Sequence, residues 1–238
     1  MDGNEPVIPN FGEGSRCVID NGTFCWDWAR EHWGDTLQPA LLQHLWLTAI
    51  AISIGFVLAF ALALLAHRVR RVEHPIGVVA ALLYTIPSLA LFQLLVPFTG
   101  LTTTTVEIAL VAYTLVILYP NIVAGLNGAP PDVIEAARGM GLTRRQVLTR
   151  VELPLAVPAI IGGLRIAVVS TIAIATIAAT LLPKGLGYPI FYALKLPDPF
   201  KTELYAAGTL AIALALACDA GLVLLRRTLV PWSRRRIT

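Results

Sequence analysis

Residues 130–158 read PPDVIEAARGMGLTRRQVLTRVELPLAVP, the longest polar interruption between strongly apolar segments of the chain. Arg138, Arg144, Arg145 and Arg150 fall inside it, and apolar runs of membrane length flank it. Such an insert is either a disordered tether or a folded docking element. Helix start and stop signals favour the folded reading. Pro130 and Pro131 stop the preceding segment, and Asp132 is placed to cap a short helix running to about Arg138. Gly139-Met140-Gly141 breaks that helix, because glycine supplies turn conformations. Thr143, with Gln146 three residues on, is a capping-box pattern that starts a second short helix. On it Val147, Leu148 and Val151 share one face, with Arg144, Arg145 and Arg150 on other faces or at its edges. Leu153-Pro154 is expected to end the helix, and Pro158 to reset the chain. The apolar strip with basic flanks suits lipid headgroups as well as a groove in a partner protein.

Working outward, 56% of the 238 residues are hydrophobic and 14% charged, where a soluble domain carries roughly 25% charged residues. The deficit predicts an all-α integral membrane protein. A spanning helix needs about 20 apolar residues. Runs of that length lie at about 41–66, 76–98, 105–126, 157–182 and 204–225. Pro87 is expected to kink the second of these, a break that helix neighbours can satisfy. The stretch 183–203, punctuated by Gly185, Gly187, Pro189, Pro197 and Pro199, reads as a loop. The chain divides into a polar segment 1–38, a transmembrane domain 39–228 and a basic tail 229–238. Residues 1–35 are acidic and lack a basic region followed by a short apolar core, so insertion is assigned to the first span. No internal repeat or low-complexity tract stands out. The formal net charge of +3 is small and points to no nucleic-acid partner.

The basic residues set the orientation. Arg68, Arg70, Arg71, the arginines of 130–158, Arg226, Arg227 and Arg234–Arg236 share one side. Arg16, Arg30, Lys184, Lys195 and Lys201 share the other. The positive-inside bias makes the first side cytoplasmic, with the N-terminus outside and the C-terminus inside. Cys17 and Cys25 then fall in an oxidising compartment, either as a disulfide around the turn at Asp20-Asn21-Gly22 or as two free thiols. Asn21-Gly22-Thr23 fits the glycosylation acceptor pattern, a three-residue match best read as chance. Trp26, Trp28 and Trp33 are placed at the outer membrane surface. Cys218 reads as a packing residue.

Glu135-Ala136-Ala137, three residues, Gly141, nine residues and then Val151-Glu152-Leu153-Pro154 resemble the EAA loop of ABC importer permeases. Only Val151 departs from that pattern, where isoleucine is usual. Thr85-Ile86-Pro87-Ser88-Leu89-Ala90-Leu91-Phe92, Arg165-Ile166-Ala167 and Gly185-Leu186-Gly187 are similar to the glycine betaine/carnitine/choline subfamily, the likeness covering about 40–225. Pro183 and Lys184 depart from the Gly-rich segment usual there. The resemblance implies a type I importer permease fold (MetI-like) with about five transmembrane helices and a cytoplasmic coupling loop in a bacterial inner membrane. It implies an import permease for quaternary amine osmoprotectants, namely glycine betaine, carnitine, choline or proline betaine. Another small solute such as an amino acid is the alternative cargo.

The resemblance places ATPase coupling on Glu135, Ala136, Ala137, Gly141, Leu142, Thr143, Arg144, Arg145, Val147, Leu148, Val151, Leu153 and Pro154. The segment from Leu142 to Val151 is expected to enter the ATPase cleft. Implied partners are an ABC ATPase dimer, a second identical or related permease chain, an extracytoplasmic binding protein and membrane lipid. The chain has no phosphate-binding G-x-x-x-x-G-K-[ST] loop. It is therefore read as a non-enzyme without a cofactor of its own, ATP and magnesium belonging to the partner. A membrane enzyme or scaffold whose loop merely lies on the bilayer is the reading of another class.

Several residues inside spans are candidates for the pathway. Tyr84 and Tyr113 offer aromatic faces to a quaternary ammonium, with helix packing the blander role. Pro87 and Ser88 mark the kink. Arg165 and Asp219 either pair within the subunit or serve the pathway. Glu107, near the outer end of its span, is expected to be solvated. His44, His67 and His74 show no metal-ligand spacing, and no nucleophile–base arrangement is evident.

Overall fold

The computed structural model describes residues 15–230, and every regular element in that range is helical. The expected basic tail, apart from its first residues, and the acidic residues before Ser15 lie outside the described residues. Two short helices, α1 (Arg16–Ile19) and α2 (Trp26–Glu31), lead through a π turn into α3 (Gln38–Arg68). Then come α4 (Arg70–Thr85), α5 (Ser88–Thr99) and α6 (Thr103–Asn127). The polar insert forms α7 (Pro131–Gly139), α8 (Arg144–Val147) and a π turn, Leu148–Glu152. Next are α9 (Leu153–Ile177), a 3₁₀ turn, α10 (Gly187–Lys195) and α11 (Lys201–Leu229).

The core is the mutual packing of α3, α6 and α9. Ala51, Gly55, Ala59 and Ala63 recur every four residues on α3 and are buried. Small side chains on one face let helix backbones approach closely, the usual way apolar helices associate in lipid. Several polar groups between these helices are paired, as burial favours. Thr114 of α6 meets Thr171 of α9, oxygen to oxygen, at 3.0 Å. The fully buried His44 ring accepts the Leu186 N–H on Nδ1 at 3.2 Å and meets the Ile172 carbonyl through Nε2 at 3.1 Å. One imidazole thus ties α3, α9 and the Gly185-Leu186-Gly187 segment together.

Among the described residues four helical stretches are long and apolar enough to cross a membrane: Trp33–Arg68, Thr103–Asn127, Arg144–Thr180 and Lys201–Leu229. A fifth span results if α4 and α5 count as one, although they are bent by 100°. The expected single kinked helix at 76–98 is therefore corrected to two helices. Ile86, pressed toward extended backbone by the following proline, has φ −75° and ψ 123° and ends α4. Its carbonyl accepts the Tyr113 hydroxyl of α6, so the break is satisfied by a neighbour rather than by its own helix.

Three further expectations are corrected. Asp132 is not a cap: Pro130 stands there, and Asp132 lies in the first turn, where acidic residues suit the helix dipole. Leu153-Pro154 does not end the second short helix. The π turn widens the backbone ahead of the proline, Pro154 sits in the first turn of α9, and the chain continues from Arg144 to Thr180 as one span. The stretch 183–203 is not all loop, because Pro189 is tolerated in the opening turn of α10.

Before α3, Cys17 and Cys25 are joined in a disulfide. Asn21 within that loop is buried against the start of α11. Its Nδ2 donates to Asp198 Oδ2 at 2.9 Å and to the Pro199 carbonyl at 3.0 Å. Its Oδ1 accepts the Lys201 N–H at 3.1 Å, which satisfies one unpaired donor of the helix N-terminus. The Cys25 N–H donates to Thr202 Oγ1 at 2.9 Å. Trp28 does not lie at the surface as expected: it is buried, stacks on His32 and meets Phe200 edge-on. Trp26 and Trp33 remain exposed.

Candidate functional site

The helix–turn–helix at 131–152 is built by local chemistry. Gly139 closes α7, and Gly141 takes φ +84°, a left-handed conformation that favours glycine. The Gly141 and Leu142 N–H groups donate back to the Arg138 and Ala137 carbonyls at 2.9 and 3.2 Å. Thr143 then caps α8 in a full capping box: its hydroxyl accepts the Gln146 N–H, and Gln146 Oε1 accepts the Thr143 N–H at 2.8 Å.

This unit has two faces. Glu135, Ala136, Arg138, Gly141, Thr143, Arg144, Arg145 and Arg150 are exposed, and Met140 is 74% exposed. Ala137 and Val147 are each 2% exposed. Leu148 and Leu153 pack on the main core cluster, while Leu142, Val151 and Pro154 are half-buried. The apolar strip of Val147, Leu148 and Val151 therefore turns toward the chain's own bundle. The outward surface is a methionine set among arginines.

The base of this unit is a polar network that sequence reasoning missed. Glu152, in the π turn, is 7% exposed, and its Oε2 lies 2.9 Å from His67 Nε2 near the end of α3. His67 Nδ1 faces Asn127 Oδ1 at 3.4 Å, at the end of α6. Asn127 Nδ2 donates to Glu73 Oε1 at 3.3 Å, in the first turn of α4. The Tyr119 hydroxyl donates to the Glu73 carbonyl at 3.1 Å, and Arg144 Nη2 to the Arg68 carbonyl at 3.3 Å. Both His67 contacts are to side-chain oxygens. Glu152 directly precedes Leu153-Pro154, so a glutamate set between apolar residues of the motif segment was the signal in the sequence.

Of the pathway candidates, Tyr113 is brought to the helix break at Ile86-Pro87, while Tyr84 and Arg165 lie elsewhere. Tyr84 is 66% exposed on α4, whereas Tyr113 is buried and engaged with Ile86. Pro87 stands at the N-cap of α5 without a side-chain capping bond, and Ser88 opens the helix. Arg165 is committed to Asp219. Glu107 is not solvated: both its carboxylate oxygens are buried and, among the described residues, lack a hydrogen-bond partner. Lys184 Nζ donates to Thr103 Oγ1 at 2.7 Å, one helical turn from Glu107 on α6. Among the described residues no group of three or more His, Cys, Asp or Glu could hold a metal.

With this geometry in hand, residues 51–235 match the family model described as "Binding-protein-dependent transport system inner membrane component". The carnitine transport permease protein OpuCB of Listeria monocytogenes is 33% identical over 199 residues, 83% of this chain and 90% of that protein. The osmoprotectant import permease protein OsmW of Salmonella typhimurium is 36% identical over 201 residues, covering 82% and 92%. Among solved structures, the inward-facing MetNI methionine ABC transporter superposes with a TM-score of 0.74 at 18% identity, covering 84% of this chain and 98% of that one.

Proposed function

This chain belongs to the family of binding-protein-dependent transport system inner membrane components, and from that premise we propose that it carries quaternary amine osmoprotectants inward. It is a multi-pass inner membrane permease subunit, not an enzyme, and in these systems the ATPase is a separate subunit. The observation that carries the cargo is the naming of OpuCB and OsmW, which match nearly end to end, for carnitine and osmoprotectant transport. Glycine betaine, carnitine, choline and proline betaine share the fixed positive charge that this cargo class requires.

The exposed face of α7 and α8 is the surface offered to the ATPase, with Met140 as an apolar anchor and Arg144 and Arg145 beside it. The positive-inside distribution of arginines puts that face in the cytoplasm, with the N-terminal segment outside. ATP binding closes the ATPase pair and draws two such loops together. Two permease chains then rock between inward- and outward-facing states, a change that requires each state to hold different contacts. An extracytoplasmic binding protein delivers the substrate. The test is a competition panel on the reconstituted complex, with labelled betaine uptake challenged by carnitine, choline, proline betaine and amino acids. Displacement by the quaternary amines is expected. Displacement by amino acids alone would overturn the cargo.

A further inference from the structure

We propose that the Glu152–His67 pair is the joint through which movement of the coupling loop reaches α3 and α6. The proposal rests on the permease reading above and deepens it. The loop is connected to the bundle in two ways. Through the π turn, α8 runs without a break into α9, so α9 follows the loop directly. No such covalent continuity joins the loop to α3, and α6 reaches α7 only through the connection at Gly128–Pro130.

Between them stand the packing of Leu148 on the core cluster, the Arg144–Arg68 contact at the exposed surface and the buried end of the polar network, of which the network alone holds a directional link to both α3 and α6. Glu152 reaches His67 on α3 at 2.9 Å, His67 faces Asn127 on α6 at 3.4 Å, and Asn127 reaches Glu73 on α4 at 3.3 Å. The carboxylate is buried, and α3 ends one residue beyond the imidazole. A charge-assisted hydrogen bond in such surroundings is directional and short-ranged, so it holds its two elements at fixed separation. Breaking it leaves a buried carboxylate unpaired, so the pair resists sliding of the π turn along the end of α3. Glu152 and His67 are positioning residues: the exposed surface touches the partner, and this joint passes the displacement on.

The test measures uptake and ATP hydrolysis in the same proteoliposomes of the full transporter complex, using a cargo that the wild type imports. Glu152→Gln, His67→Gln and the exchanged pair Glu152→His with His67→Glu are compared. Each single variant is expected to retain the ATPase subunit and its hydrolysis while losing about tenfold in molecules imported per ATP. The exchanged pair is expected to recover most of that loss. Normal coupling in the single variants overturns the proposal. So does loss of uptake together with loss of the ATPase subunit, which would make the pair a docking or folding element. So does failure of the exchange to restore coupling. A wrong cargo shows differently, as a wild-type complex that imports no quaternary amine.

Discussion

Arg165 of α9 grips Asp219 of α11 through two parallel hydrogen bonds, Nε to Oδ1 at 2.7 Å and Nη2 to Oδ2 at 2.8 Å. The planar guanidinium matches a carboxylate in this forked arrangement, which an ammonium cannot reproduce. The start of α11 is also held by the N-terminal loop and by α10, but its apolar window is only 6% buried, so this pair is its polar tie to α9. Either single substitution, Arg165→Ala or Asp219→Ala, strands a charge at a span. The expected outcome is a lower melting temperature for each single variant than for the double variant, with Arg165→Lys between wild type and Arg165→Ala. Thermal unfolding in detergent checks this order.

Gly141→Val should uncouple the loop without unfolding the bundle. At φ +84° a side chain bearing Cβ costs about 1–2 kcal/mol, and the strain falls on an exposed turn. Gly139→Ala, with open space around the added Cβ, is the control and should behave as wild type. Uptake measured beside membrane insertion separates the two.

Gly187→Ala is expected to cost folded protein rather than activity alone. A Cβ there would stand 2.0 Å from the Thr176 carbonyl oxygen, a contact that only backbone movement relieves. Overpacking costs typically about 1–3 kcal/mol and more where backbone must shift. Gly208→Ala, which meets nothing within 4 Å, should be neutral or mildly stabilising. Monodisperse yield from detergent extraction is the measurement.

Asn21→Asp should release the N-terminal loop more completely than Asn21→Ala. The amide nitrogen donates to Asp198 and Pro199. A carboxylate in its place would turn acceptor toward acceptor and charge toward charge. Protease cleavage between residues 15 and 38 is expected to accelerate in both variants, and furthest in Asn21→Asp.

Glu107→Gln is expected to insert normally and to melt at or above the wild-type temperature. It removes a buried carboxylate that has no partner among the described residues, and an ionised group left so in a span is costly. A matching uptake assay reads the second consequence. Unchanged uptake marks Glu107 as dispensable, and reduced uptake at unchanged stability marks it as a cation contact.

What the sequence made legible was local. Thr143 and Gln146 announce their capping box because both partners lie within one turn, and the apolar runs announce spans by length alone. The spacing from Glu135 to Pro154 carried the family because it is long and dense. Prolines misled wherever a neighbour changed their effect. Pro87 read as a kink but broke the span, since Tyr113 was there to take the freed carbonyl. Pro154 read as a stop and Pro189 as loop punctuation, but both fit opening turns. Pairs such as His67–Glu152 and His44–Leu186 join residues 85 and 142 positions apart and leave no pattern in a single chain.

Asn21 seats on a helix start 180 residues downstream. A ribosome delivers the chain N-terminus first, so this loop emerges well before α11 and waits for that helix before it can dock. Any product terminated before Asp198 keeps Asn21, Cys25 and Trp28 without their seat. The disulfide-closed loop thereby docks only once the start of α11 is present, long after its own bridge can form.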